Sequence, residues 1–536
     1  MLRFKNIICA VITTSLLLIS GVVFAATTVP FTVNMSEVVN VTGTPRIAVD
    51  VGGVTRYATY ASGTGTSTLT FNYDMVAGDV DLDGVTLTSP IDLNGGTLKD
   101  LNGNDAALTF TLPNTSGVKV SYPSLSMDFT ADSDGQYTLG GTPYTSLTSF
   151  LTATSGTFSR ASVGTYFDSA GVLQTASSGT PRFDYDPVTH AAKGILIEEA
   201  RTNIAPYSNF SSGWAGQAAT PASLSAAPTS ILGLVTKRIT SGTAAYGGLM
   251  RAGFTGGTGT YTMSVFLRKV DWSYVGLRPG SSAISAGKIP FVNLDTLATS
   301  SNGVTGATIT AENIGGGVVR AKVTWTGTVA GGCCFDVVMT TSAGAESGPG
   351  SVQNLDVAGA QLELGAFATS FIPTSGATVT RQADVLNIPT GSWYNSSAGS
   401  LYAESDTIPN NSALSGGITI AFFNNATASN TWGLRYDTGG TQMGGVFVTG
   451  GANQGTVYAS PITSGINKNA HAMSGTTRSI VQNSGTVQAG TFSSAPTITR
   501  LSIGNDLSNS SLNGWIQKVK YYPLRASNTQ LQLLTQ

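Results

Sequence analysis

Apolar and polar residues alternate along most of this chain with the two-residue period of a half-buried β-strand. "YTMSVFLRKV" places Tyr261, Met263, Val265 and Leu267 on one face, and "VVRAKVTWTG" does the same with Val319, Ala321, Val323 and Trp325. Runs such as "PFTVNMSEVVNVTG", "RIAVDVGG", "TRYATYASG" and "STLTFNYDM" are separated by glycine-containing turns, at intervals suited to a sandwich. No repeat of solenoid or propeller length recurs. The pattern predicts an all-β fold made of several β-sandwiches.

Composition narrows the class. A chain of 536 residues is too long for one ordinary core and implies three or four domains. Only 10% of its residues are charged, against an average of about 25% in soluble proteins. Low charge with 65 glycines suits extracellular all-β proteins, while 41% hydrophobic residues argue against disorder. The net charge of −2 gives no electrostatic footprint for nucleic acid.

The first 25 residues carry Arg3 and Lys5, an apolar run from Ile7, and Val23-Phe24-Ala25 before Ala26. That order predicts a Sec-type signal peptide over 1–25. The mature chain is then exported, to the cell surface or medium with the periplasm as the alternative. No later segment approaches the ~20 apolar residues of a membrane span. Cleavage removes Cys9 and leaves Cys333 and Cys334, which as strand neighbours point to opposite faces. A disulfide scaffold is excluded, and two cysteines without nearby histidine do not suggest a zinc site.

Four segments follow the signal peptide. Residues 26–120 contain "VPFTVNMSEVVNVTGTPRIAVDVGG", "AGDVDLDGV" and "LNGGTLKDLNGNDA" in that order. The segment resembles the bacterial immunoglobulin-like modules of large surface proteins, which implies a spacer. Residues 121–204 read as a connector of short strands ending in a charged motif. Residues 205–380 follow that motif, "RFDYDP...KGILIEEARTN", and close on "GAQLELGAFATSFIPTSGATVTRQAD". The combination is similar to phage tail and head-fibre proteins and their prophage-derived bacterial relatives. It implies a jelly roll of carbohydrate-binding-module type bracketed by the two motifs. In residues 386–536 the phrase "LNGWIQKVKYYP" resembles the closing strand of a concanavalin A or laminin-G sandwich. A short helical tail follows, in which Leu531, Leu533 and Leu534 can cap a sheet.

The densest polar stretch runs from Thr180 to Asn203 and holds Asp184, Asp186, Glu198 and Glu199. A glycosidase needs two carboxyls facing one substrate. "GILIEEA" reads as a strand, so Glu198 and Glu199 point to opposite faces and cannot serve one cleft. Asp184 and Asp186 share a face, but Pro187 marks a turn directly after them. The economical reading pairs these acids with Arg182, Arg201 or Lys193 at a domain junction. His190 follows the turn, and His471 is read in a polar loop; neither has metal-binding spacing. No nucleophile elbow or phosphate-cradling loop is present. "AESDTIPN" places Glu404 and Asp406 as in an E-x-D-x-x-E strand, but Pro409 takes the third position. No catalytic residue is assigned.

One spacing suggests a ligand. Asp79, Asp81 and Asp83 followed by Gly84 have the D-x-D-x-D-G pattern of a calcium loop. Pro90 at the twelfth position excludes a complete EF-hand. Asp92, Asp100 or Asp105 are candidates for further oxygens, and a solvated acidic turn is the alternative. The resulting expectation is a secreted, non-catalytic, multi-domain protein that recognises glycans or a cell surface, adhesin- or fibre-like, with calcium as a candidate cofactor. The alternatives are a polysaccharide depolymerase of tail-spike type and a purely structural appendage component. Trp393, Trp432 and Tyr436 are candidate sugar platforms or core residues.

Overall fold

The structure is a computed structural model. It describes residues 27–216, 223–242, 247–251, 254–279, 289–329, 335–342, 344, 350–407, 418–437, 441–505 and 511–536. The expected signal peptide, Cys333, Cys334 and Pro409 lie outside the described residues. The described chain is mostly antiparallel β, arranged in several sheets consistent with multi-domain β-sandwiches. None of its helices is long and apolar enough to cross a membrane.

The amino-terminal module wraps around one long strand, Thr28–Thr42. Its first half pairs with Thr66–Asp74, matching Phe31 to Phe71 and Val33 to Leu69. Past an irregularity between Asn34 and Val39, its second half pairs with Thr97–Asp100. Alternation sends Phe31, Val33, Leu69, Phe71 and Tyr73 into a common core. A two-strand ladder, Val80–Asp81 with Val120–Ser121, closes the module on the side facing the rest of the chain.

The middle sandwich stacks two six-stranded antiparallel sheets. One is centred on Gly257–Lys269, flanked by Asn354–Leu364 and Val318–Val329, with Ala307–Gly315 at the edge. Tyr261, Met263, Val265 and Leu267 enter the core together with Ala321, Val323 and Trp325. The alternate residues Arg320, Lys322 and Thr324 therefore stand on the opposite face of the same sheet.

The carboxy-terminal sandwich is assembled from two stretches of chain on either side of the middle one. Its spine is Gly514–Tyr522, which lies inside its sheet rather than at an edge. One flank pairs with Ala398–Thr407. The other pairs with Leu125–Asp128 and, further along, with Ala192–Ile197. Residues 121–204, expected to be a connector, thus supply strands to this sandwich. Thr157–Ser159 likewise joins the facing sheet beside Val385–Pro389. The core holds Trp432, Phe423, Tyr521 and Trp393. Helix Asn528–Leu534 lays Leu531 and Leu534 over the outer face, where they meet Tyr402, Tyr522 and Val80 of the first module.

Candidate functional site

The charged stretch folds as a hairpin, Phe183–Tyr185 with Ala192–Ile197, turned at Asp186, whose carboxylate accepts the N–H groups of Val188 and Thr189. Regular pairing stops at Ile197, so Glu198 and Glu199 sit just beyond the strand. Glu198 is fully buried. Its carboxylate lies 2.8 Å from Arg182 and 2.7 Å from Arg381, and accepts the Ser370 N–H and hydroxyl at 2.7 Å each. Asp384, also fully buried, takes Arg160 at 2.9 Å and Arg182 at 2.5 Å. Glu198 and Asp384 also exchange backbone contacts: the Glu198 N–H donates to the Asp384 carboxylate, and the Asp384 N–H to the Glu198 carbonyl. Next to this cluster Arg201–Asn203 pairs with Val379–Arg381. These two short strands are the entry to and exit from the middle sandwich. Burial alone would raise the Glu198 carboxyl, but Arg381, Arg182 and the Ser370 bonds bring it down to about 2. Glu199 is less enclosed: it reaches Arg201 and remains partly exposed. The pair differs, as neighbouring residues on extended chain must.

Asp184 points elsewhere. It accepts the Phe167 N–H at 2.6 Å and the Trp515 indole N–H at 2.7 Å. Burial pushes its carboxyl above the usual range, and those two bonds oppose the shift. The Lys193 ammonium sits 3.3 Å from the centre of the Trp515 ring, a cation–π contact. This polar and aromatic group forms one wall of a cleft of about 450 Å³. Tyr166, Phe167 and Tyr185 continue that wall. Phe266, Ile314, Glu312, Arg320 and Lys322 of the middle sandwich stand opposite, and Asp406 with the turn 462–465 closes the third side. Across the cleft Lys322 bonds Glu312 at 2.6 Å, and Arg320 is anchored to the Thr369 carbonyl at 2.7 Å. Sequence reasoning reaches Asp184 and Lys193 but misses Trp515, Tyr166, Glu312, Arg320 and Lys322. The signal for the last three is the charge on the face opposite Ala321 and Val323.

The three aspartates expected to hold calcium have other partners. Asp79 is buried against Arg56 at 2.7 Å and also accepts the Tyr73 hydroxyl and the Val76 N–H. Asp81 accepts the N–H groups of Gly52 and Gly84, each at 2.8 Å. Gly52 has a positive φ, and a Cβ there would stand 2.2 Å from the Val80 carbonyl oxygen, so this approach needs glycine. Asp83 accepts the Gln530 amide at 2.6 Å, while the Gln530 carbonyl takes the Leu82 N–H at 2.8 Å. These donors engage both oxygens of Asp79 and of Asp81 and one of Asp83, and the Arg56 guanidinium neutralises Asp79. The residues do not fit a calcium loop: Asp79 and Asp81 brace the first module internally, and Asp83 holds it to the terminal helix through Gln530. Among the described residues no three acidic, histidine or cysteine side chains converge as metal ligands.

His471 is not in a loop. It lies in strand Asn467–Ser474, fully buried, 5.5 Å from the Trp432 ring and 5.4 Å from Phe447. Burial lowers it to about 3, against the bond between its Nδ1 and the Gly433 carbonyl. Trp393, Trp432 and Tyr436 are core residues, not surface platforms. Glu404 is buried, accepts the Tyr402 hydroxyl at 2.6 Å and lies 3.4 Å from Lys518. The chain matches no protein-family model and no curated protein.

Proposed function

We propose that this chain is an exported, non-catalytic glycan-binding protein of a cell surface, and that the cleft between the charged hairpin and the two sandwiches is its binding site. The observation that carries the reading is the lining of that cleft. The indole of Trp515 and the rings of Tyr166, Phe167 and Phe266 alternate with Asp184, Lys193, Glu312 and Lys322 around about 450 Å³. Sugars present apolar C–H faces and rings of hydroxyls, so they are held by aromatic surfaces bordered by a few fixed polar groups. The volume is in the range of small-ligand sites.

The carboxylates support binding over hydrolysis. Glu198 is neutralised by two arginines, and Asp184 accepts a hydrogen bond on each oxygen. Both Asp184 oxygens are thus already engaged by the protein, and Glu198 is held ionised. The test is a glycan array probed with the mature chain and with Trp515→Ala, each spot also assayed for released sugar. Binding lost in the variant, with no release, is the expected result. Sugar released by the wild type would replace this reading with a depolymerase, and equal binding by both proteins would move the site elsewhere.

A further inference from the structure

The cleft does not end at its inner wall. Glu312, Lys322 and Ala368 line it on one side, and on the other they line a second hollow of about 300 Å³. That second hollow lies on the polar face of the middle sandwich. Its floor pairs Thr308 with Thr324 and Thr310 with Lys322 across neighbouring strands, and Thr324 with Thr262 on the next. Along the edge strand, Glu312, Thr310 and Thr308 share one face, so the floor extends about 14 Å from the cleft at ~3.4 Å per residue. Thr308 and Thr310 are exposed. Threonine hydroxyls both donate and accept, and their methyl groups give the row a flat apolar rim.

From this continuity we propose that the two hollows form one track for an internal segment of a linear, uncharged polysaccharide. The proposal rests on the glycan reading above and narrows it. A monosaccharide ligand would leave the threonine floor empty. A chain entering beside Trp515 and passing the Glu312–Lys322 pair reaches Thr310 and Thr308 without a turn. Charge argues for a neutral chain: Lys193, Arg320 and Lys322 are matched in the cleft by Asp184, Glu312 and Asp406, and Glu198 is balanced by its own arginines. No excess of either sign is left for an acidic or basic repeat.

The experiment is calorimetric titration of the full mature chain with cello-, malto- and manno-oligosaccharide ladders, from disaccharide to octasaccharide. The variants are Trp515→Phe and the double change Thr308→Val with Thr310→Val, which keeps shape and strand propensity while removing two hydroxyls. With the matching ladder, affinity should climb past the trisaccharide. The threonine variant should lose that gain, roughly tenfold for two or three hydrogen bonds, and keep wild-type affinity for the shortest sugars. Trp515→Phe should weaken every length. A plateau at the trisaccharide, or a threonine variant equal to wild type at all lengths, would refute the track while leaving the cleft as a glycan site. Binding confined to acidic or branched glycans on the array would refute the neutral linear chain alone. An array blank for every glycan would take the underlying reading with it.

Discussion

Arg182 and Asp384, 202 residues apart in sequence, meet at 2.5 Å with both side chains fully buried. Between them the chain leaves one sandwich, builds another and returns. The contact, with Glu198, Arg381 and Arg160 around it, clamps both crossings of that boundary at one point. Such a cluster is costly to desolvate, and its value is in fixing the geometry of the crossing, because removing one partner strands the others.

Glu198→Gln should therefore lower stability by about 3 kcal/mol, the scale for breaking a buried ion pair. Glu199→Gln, whose side chain is partly exposed, should cost well under 1 kcal/mol. Urea unfolding measures both. Limited proteolysis of the Glu198 variant should open new cleavage at the crossings near residues 201–204 and 379–384. Equal costs for the two glutamates would contradict the clamp.

The same residue sets an acid limit. Glu198 is depressed from 4.5 to about 2 in the fold, so its contribution is complete above pH 4.5 and is lost as pH falls toward 2. At 1.36 kcal/mol per pH unit this is on the order of 3 kcal/mol. Wild-type stability should fall across that window, and the slope should flatten in Glu198→Gln.

His471 acts at milder pH. Its folded value, about 3, lies below the unfolded 6.5, so the unfolded chain takes up the proton first and stability falls as pH drops from 6.5 toward 3. The loss by pH 5 should be about 2 kcal/mol. His471→Gln should be less stable at pH 7 yet show a shallower decline between pH 6.5 and 5 in thermal melts. An unchanged slope would show that the ring titrates in contact with water.

Asp81→Asn should lower stability by about 1–2 kcal/mol, since an amide oxygen cannot replace both acceptors for the Gly52 and Gly84 N–H groups. The loss should be the same in EDTA and in millimolar calcium. A calcium-dependent rise in the wild-type melting temperature, absent in the variant, would restore the metal loop.

Gln530→Ala should weaken the docking of the first module, because one side chain both accepts from Leu82 and donates to Asp83. Small-angle scattering should show a longer particle, with the far-ultraviolet spectrum unchanged. An unchanged scattering profile would place the hold in the apolar contacts around Val80 and Leu531.

Period-two alternation makes the strands of the middle sandwich readable, because Tyr261 to Leu267 and Ala321 to Trp325 send one apolar set into the core and leave the more polar set, Thr262, Ser264, Arg320, Lys322 and Thr324, on the other face. The pairing of acids and arginines at the crossing is readable for a similar reason: charge is scarce in this chain, and its concentration between Arg182 and Arg201 marks a place where it is needed. Residues 121–204 read as a connector because most of their strands are three or four residues long and two of them, Leu125–Asp128 and Ala192–Ile197, pair with Gly514–Tyr522, more than 300 residues away. No local pattern encodes that pairing. His471 looks like a loop residue in sequence because Asn467 and Asn469 flank it. Both are buried, with amides bonded to backbone carbonyls, so a polar run here is an interior strand. The cleft is not legible in the sequence because its walls come from three separated parts of the chain.

The position of Gly514–Tyr522 as a spine has a consequence for how the protein is made. Strands from residues 125–128 and 192–197 emerge in any vectorial synthesis or translocation more than 300 residues before the strand they pair with, Gly514–Tyr522. Until then they present unpaired edges, which invite association with other chains. The middle sandwich, whose strand pairings lie within its own span, has no such wait and can complete its sheets before residue 514 appears. Assembly thus proceeds from the inside outward, with the inserted unit formed early and its host completed last. A ribosome or translocon stalled before residue 514 would leave a folded middle sandwich tethered to an open half-sheet.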